Sequence, residues 1–156
     1  MAEREHITRL RGAGPGYAED YAAWVEHQIA LIKEARWSEI DRDNLIDEVE
    51  SLGRSEFKAF VSAIEIVLLH MLKWDFQPEQ RSRSWSVSIA GHRLQVEDEL
   101  EDNPSFKARI GEAVERAYRH ARIRASGETE LPLGAFPAEC PYDWATIMER
   151  EHPLDA

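Results

Sequence analysis

The sequence has one cysteine, an excess of acid over base and no long apolar run, and each of these features excludes a class of protein. Cys140 is the only cysteine among 156 residues. An internal disulfide is therefore excluded, and a reducing compartment is favoured. The most apolar stretch, residues 66–72, contains His70 and is far shorter than the roughly 20 residues that a membrane-spanning helix needs. We expect a protein that does not enter a membrane.

The shortage of positive charge excludes a second class. The chain has 19 basic and 30 acidic residues, which gives a formal net charge of −11. Such a surface repels phosphate backbones, so we expect no binding to nucleic acid. Residues 1–11 are charged and contain no apolar segment typical of a secretory signal, so we expect a cytoplasmic protein.

No β-type alternation, internal repeat or low-complexity tract is visible, whereas hydrophobic residues make up 43% of the chain and include five tryptophans. This content is sufficient for a core, and the length is typical of one domain. Residues 11–16 contain three glycines and one proline. We therefore predict a flexible N-terminal arm at residues 1–16 and a single helical domain at residues 17–156.

Apolar residues at helical spacing predict four long helices. The first, at about residues 18–35, has a stripe of residues 21, 25, 28, 32 and 35, with Trp24 and Leu31 beside it. The second follows Asp41 and covers about residues 42–75, because its apolar residues keep one 3.6-residue phase across Gly53. A glycine inside a helix costs about 1 kcal/mol against alanine, which a long helix tolerates. The third helix is predicted to follow a cap at Ser82 or Ser84 and to run to about Asp102. The fourth is predicted to follow the cap Asn103, with Pro104 at its first position, and to end at Gly127.

Beyond the fourth helix, prolines and glycines at positions 132, 134, 137 and 141 interrupt the periodicity. Residues 128–142 are predicted to be a strap pinned across the helices by its apolar side chains. A short final helix is predicted at about residues 143–149. The predicted fold is therefore all-α: a four-helix bundle with a C-terminal strap and a short final helix.

Four motifs carry a resemblance to a known family. They are Asn44–Glu56, Leu69–Trp74, Gln77–Trp85 and Phe136–Tyr142. The chain resembles the bacterial family called domain of unknown function 29, and the resemblance covers about residues 17–150. The resemblance implies an α-helical fold and no established activity, so it assigns no role to any residue.

Two histidines at apolar helical positions, His70 and His92, are predicted to form a polar pair in the core. Their heights above the turn between the second and third helices differ by about 6 Å, so their side chains can meet. A zinc site would need further ligands, and only His27 is a candidate third ligand. The Glu-x-x-His pattern of di-iron bundles occurs only at residues 3–6 and 149–152, which are predicted to be exposed ends. We therefore predict no metal and no other cofactor.

Positive charge is concentrated at residues 73–93, where a turn joins two helices. Arginines at a helix start can gather an anion together with backbone N–H groups. The same arginines can instead pair with acids such as Glu48, Glu50 or Glu56 and fasten the turn. The candidate binding residues are Trp74, Arg81, Arg83, Trp85 and Arg93.

No Ser-His-Asp or Cys-His arrangement and no phosphate-binding loop is present, so we predict no catalytic residue. Cys140 follows Glu139, whose charge disfavours a thiolate. The leading hypothesis is a small helical interaction protein without catalytic activity, which forms a homo-oligomer or binds a protein partner. The alternative is a ligand-binding or enzymatic domain with an anion pocket at residues 73–93.

Overall fold

The computed structural model describes residues 14–153, so the predicted arm lies largely outside the described residues. Within them the chain is all-α and has no strand, which confirms the predicted fold class. No described helix is long and apolar enough to cross a membrane. The helices are α1 (Tyr21–Lys33), α2 (Arg42–Phe76), α3 (Arg83–Asp102), α4 (Ile110–Thr129) and α5 (Trp144–Glu149).

Helix α2 is one continuous helix of 35 residues, as the single apolar phase predicts. Its start is fixed by Asp41, whose carboxylate accepts a hydrogen bond from the Asn44 N–H at 3.4 Å. Gly53 lies within the helix, and a Cβ placed on it would meet no atom within 4 Å. The glycine is therefore a point of low helix propensity and serves no close approach.

The chain forms two compact units, which divide after Gly53. In the first, the Asp20 carboxylate caps α1 by accepting the Ala23 N–H at 3.0 Å. The buried residues of α1 are Trp24, Gln28 and Leu31. The apolar stripe predicted on this helix is confirmed at Gln28 and at the neighbouring Trp24 and Leu31, but it was wrong at Tyr21 and Ile32, which are 51% and 41% exposed. The prediction of a single domain at residues 17–156 stays a prediction.

The second unit contains a bundle in which α3 and α4 pack against α2. Small side chains on the buried face of α4 allow close approach to its neighbour. The core residues of the three helices include Phe60, Ile64, Val67, Leu68, Met71 and Leu72 of α2, Ile89 and Val96 of α3, and Ala113, Ala117, Ala121 and Ala125 of α4.

Helix α4 ends two residues later than predicted. Gly127 lies inside the helix, and the chain reverses at Glu130, whose φ of 60° is left-handed. The strap that follows is pinned as expected, because Phe136 is buried in the core. Two side chains of α4 donate hydrogen bonds to main-chain carbonyls of the strap. The Tyr118 hydroxyl donates to Pro137 O at 2.8 Å, and Arg122 Nε donates to Phe136 O at 3.2 Å.

We predict that Gly53→Ala leaves the free energy of unfolding unchanged or raises it by up to about 1 kcal/mol, because alanine has the higher helix propensity and its Cβ has room. Urea unfolding followed by far-ultraviolet circular dichroism measures the change. Gly91→Ala is the matched control, since Gly91 lies within α3 and its surroundings are equally open. A loss of stability only at Gly53 would contradict a helical conformation there.

Candidate functional site

The turn between α2 and α3 is fastened by an arginine that bonds to a main-chain carbonyl. A 3-10 turn at Pro78–Gln80 joins the two helices. Arg81 Nε donates to Trp74 O at 3.0 Å, and the guanidinium carbon lies 5.0 Å from the centroid of the Trp74 ring. The contact combines a charge-assisted hydrogen bond with a cation–π interaction. Arg81 therefore closes the turn onto the last turns of α2.

Arg93 also donates to main-chain carbonyls, which belong to residues 146–150 near the C-terminus. Its Nε donates to Ile147 O at 2.7 Å, its Nη1 to Arg150 O at 2.8 Å and its Nη2 to Thr146 O at 3.3 Å. These carbonyls lie at the C-terminal end of α5 and just beyond it, where a helix leaves acceptors without intrahelical partners, although Thr146 O also accepts the Arg150 N–H at 3.3 Å. Burial, and secondarily the charge of Arg150, lowers the pKa of Arg93. All three guanidinium nitrogens of Arg93 are engaged in holding α5.

The remaining predicted residues of this segment have other surroundings. Arg83 is exposed at the first residue of α3. Trp85 is half-buried, and Lys73 Nζ lies 4.8 Å from its ring centroid. Lys73 also forms an ion pair with Glu128 of α4 at 2.8 Å. Of the five predicted residues, the described contacts bring Arg81 and Trp74 together, whereas Trp85 and Arg93 contact other partners.

His70 and His92 each bond to a carbonyl of their own helix. His70 Nδ1 donates to Ile66 O at 2.9 Å, and His92 Nδ1 to Ser88 O at 2.8 Å. The Ser88 hydroxyl lies 3.5 Å from both Nδ1 atoms. Burial lowers the pKa of His70, which favours its neutral form. Among residues 14–153, no three His, Cys, Asp or Glu side chains are grouped closely enough to hold a metal ion.

Sequence reasoning missed a charged cluster that joins α2 to the strap and to the residues after α5. Arg150 donates through both Nη atoms to the Asp75 carboxylate, with Nη1 at 3.0 Å from Oδ2. The Tyr142 hydroxyl donates to the same Oδ2 at 2.6 Å. Burial acts to raise the pKa of Asp75, but the bonds from Arg150 and Tyr142 outweigh it and hold the pKa below its ordinary value. The carboxylate therefore stays ionised.

His152 lies beside this cluster and is only 7% exposed. The prediction that residues 149–152 form an exposed end was wrong at this position. The His152 ring meets the Trp74 ring edge-on with centroids 5.3 Å apart, and the Ser86 hydroxyl donates to His152 O at 2.8 Å. Neither ring nitrogen has a hydrogen-bond partner within the described residues. Burial, reinforced by nearby Arg150 and Arg93, lowers the pKa of His152 to about 4.

A pocket of about 550 Å³ lies between α4 and the strap. Its wall includes Tyr118 and Tyr142, whose hydroxyls are already engaged by Pro137 and Asp75. Cys140 also lines it, and burial raises the pKa of this thiol, which favours the unreactive protonated form. The pocket therefore offers space and apolar surface but no activated nucleophile at Cys140.

The first half of α2 presents an apolar face to solvent. Val49 and Leu52 are each 65% exposed and Ile46 is 44% exposed. These three residues and half-buried Leu45 are called the α2 docking face below. A groove of about 320 Å³ lies along part of it. The residues that line this groove are Ile40, Arg42, Leu45, Ile46, Val49 and Glu50.

We predict that Arg93→Ala lowers the free energy of unfolding by about 2–3 kcal/mol, because three hydrogen bonds from a charged donor are lost. Arg93→Lys should restore little of it, since an ammonium cannot reach three carbonyls in the fork geometry of a guanidinium. Arg83→Ala is the control and should change stability by less than about 0.5 kcal/mol, as exposed substitutions usually do. Chemical denaturation of the three variants measures this, and equal effects of Arg93→Ala and Arg83→Ala would refute the assignment.

We predict that His152 makes the fold sensitive to acid. Its folded-state pKa of about 4 lies below the ordinary value of 6.5, so the unfolded chain binds the proton first as the pH falls. The stability associated with the neutral imidazole is complete above pH 6.5 and is lost between pH 6.5 and about 4, by on the order of 3 kcal/mol.

The variant His152→Phe should therefore lose less stability than the wild type over that interval. At neutral pH it should be about as stable as the wild type, since a ring of similar shape replaces two buried nitrogens that have no partner. Unfolding free energies of both proteins from pH 8 to pH 4 measure this. Parallel pH profiles would show that His152 does not carry the shifted pKa.

The comparisons with known proteins agree with the motifs of the sequence. Comparison with curated proteins and with solved structures gives no match. Residues 17–152 match the family described as "Domain of unknown function DUF29". The match covers both compact units and ends at the buried histidine. Because it extends over nearly the whole chain, the protein belongs to the DUF29 family.

Proposed function

We propose that this chain is a small cytoplasmic interaction protein without catalytic activity, which binds a helix of a partner protein along the α2 docking face. The observation that carries the proposal is the exposure of Val49 and Leu52, at 65% each, on a continuous helix. An apolar patch rimmed by polar residues is typical of an interaction site.

The spacing of the face suits a helical partner. Leu45, Val49 and Leu52 are separated by four and then three residues, which is the alternation of a coiled-coil seam, and Ile46 widens it on one side. A helix laid in such a groove is anchored by residues at the same spacing. Complete burial of a valine, leucine or isoleucine contributes about 1.5–3 kcal/mol. Val49 and Leu52, each 65% exposed, therefore have the most to gain from a partner, and part of that gain is offset by the cost of association.

The helix at this position also has little support of its own. Every residue of α2 from Val49 to Glu56 is exposed, and the buried residues of the helix begin at Phe57. Most helical stability in proteins comes from packing of an apolar face. A partner on the α2 docking face would supply that packing. Because this segment is already helical in the structure, the partner does not have to fold it from a disordered chain, which lowers the free-energy cost of binding.

The alternative of an anion pocket at residues 73–93 is less well supported. Arg81 and Arg93 already donate to main-chain carbonyls. A guanidinium engaged in this way has to break those bonds before it can hold an anion. The interaction function is therefore the one that the contacts favour.

Fluorescence anisotropy of labelled amphipathic peptides tests the proposal. The peptides share one apolar stripe of leucines and differ only in the charge of their flanking positions. At least one should bind with a Kd on the order of 1–100 µM, and Leu52→Asp should weaken it by about tenfold or more. Ile123→Asp is the matched control, because Ile123 is 64% exposed on α4. The proposal is wrong if no peptide binds, or if both variants bind as the wild type does.

A further inference from the structure

We infer that the partner at the α2 docking face is a basic amphipathic helix, with lysine or arginine on both sides of its apolar stripe. The inference rests on the proposed function and names the chemistry of the partner. It depends on three observations: the net charge of the first unit, the position of its acidic residues beside the α2 docking face, and the ionisation of the carboxylates in one of the two acidic rows.

The first unit holds most of the excess negative charge of the chain. Residues 1–53 contain twelve acidic and six basic residues, a net charge of −6, whereas the whole chain of 156 residues carries −11. About a third of the sequence therefore supplies just over half of the net charge. The potential of a surface with this density of one sign attracts cationic partners and speeds their association.

Acids border the face on both sides. Asp43 and Glu50 are seven residues apart, as are Asp41 and Glu48. Seven residues are close to two turns of an α-helix, so each pair forms a row parallel to the apolar stripe. Charges in such flanking rows select the partner in helix–helix pairing. Two bases lie on this exposed half of α2: Arg42 is in line with the stripe itself, and Arg54 follows Glu50 by four residues.

The hydrogen-bonded acids of one row keep their charge. Glu48 accepts bonds from the hydroxyls of Tyr17 and Tyr21 at 2.5 and 2.9 Å, and these two bonds lower its pKa. Asp41 accepts a bond from the Asn44 amide at 2.7 Å, and its pKa is likewise lowered, mainly by that bond. Because all these donors are neutral, they stabilise the carboxylates without cancelling their charge.

The same charges argue against a second copy of this chain on the face. A two-fold contact between identical faces would bring two units of net charge −6 together, with acidic rows against acidic rows. Like charges placed opposite each other across an interface destabilise it. A basic helix instead matches both acidic rows and buries the apolar stripe at once.

The test compares three peptides with the same leucine stripe and with flanking lysine, glutamine or glutamate, titrated into the full chain. The lysine peptide should bind about tenfold or more tightly than the glutamate peptide, and added salt should reduce that preference. The double variant Asp43→Asn, Glu50→Gln should reduce the preference and leave binding of the glutamine peptide unchanged. The control Glu101→Gln, Asp102→Asn removes the same charge from exposed residues of α3 and should leave the preference intact.

The outcomes separate this inference from the function on which it rests. One outcome would overturn the basic partner and leave the docking function standing. In that outcome Leu52→Asp abolishes binding, but the three peptides bind equally or the glutamate peptide binds most tightly. Self-association of the chain that Leu52→Asp abolishes in sedimentation would also overturn the basic partner, in favour of a second copy. Absence of binding by every peptide would refute the docking function itself.

Discussion

The apolar phase of α2 is the constraint on which the rest of the structure depends. One helix of 35 residues keeps a single stripe along its length, and this stripe has two different surroundings. From Phe57 onward it is buried and forms much of the core, with α3 and α4 packed against α2. Before Phe57 the same stripe faces solvent at Val49 and Leu52. The bundle therefore accounts for only part of the apolar surface that the helix presents.

The C-terminal end of the chain is held by polar side chains that converge on it. Arg93 of α3 bonds to the last carbonyls of α5, and Asp75 of α2 receives Arg150 and Tyr142. Side chains from two core helices thus fix a short helix that cannot be stable alone. The neutral imidazole of His152 beside these charges makes this end of the fold sensitive to acid.

The sequence was informative about local structure and uninformative about partners. Periodicity predicted α2 across Gly53, because an apolar phase is retained through a single glycine. It failed for part of the α1 stripe, because the buried face includes Trp24 and Leu31, which lie beside the predicted stripe. It failed for the end of α4 because Glu130, and not Gly127, takes the left-handed conformation.

The site was harder to predict for a physical reason. Carbonyl acceptors have no sequence signature, so the partners of Arg81 and Arg93 could not be derived from residue types. Asp75 and Arg150 are separated by 75 residues, and no local pattern links them. Periodicity also shows which face of a helix is apolar but not whether the protein covers it, which is why the exposure of Val49 and Leu52 emerged only from the structure.

Amide hydrogen exchange along α2 can show whether its two halves differ in support, since exchange reports the local stability of a helix that is buried at one end and exposed at the other. We predict slow exchange from Phe57 to Phe76 and faster exchange from Ile46 to Glu56. We also predict that a lysine-flanked amphipathic peptide slows exchange at residues 46–56 and leaves exchange in α4 unchanged. Protection of residues 46–56 equal to that of the core in the protein alone, or exchange there that the peptide does not slow, would contradict this account of α2.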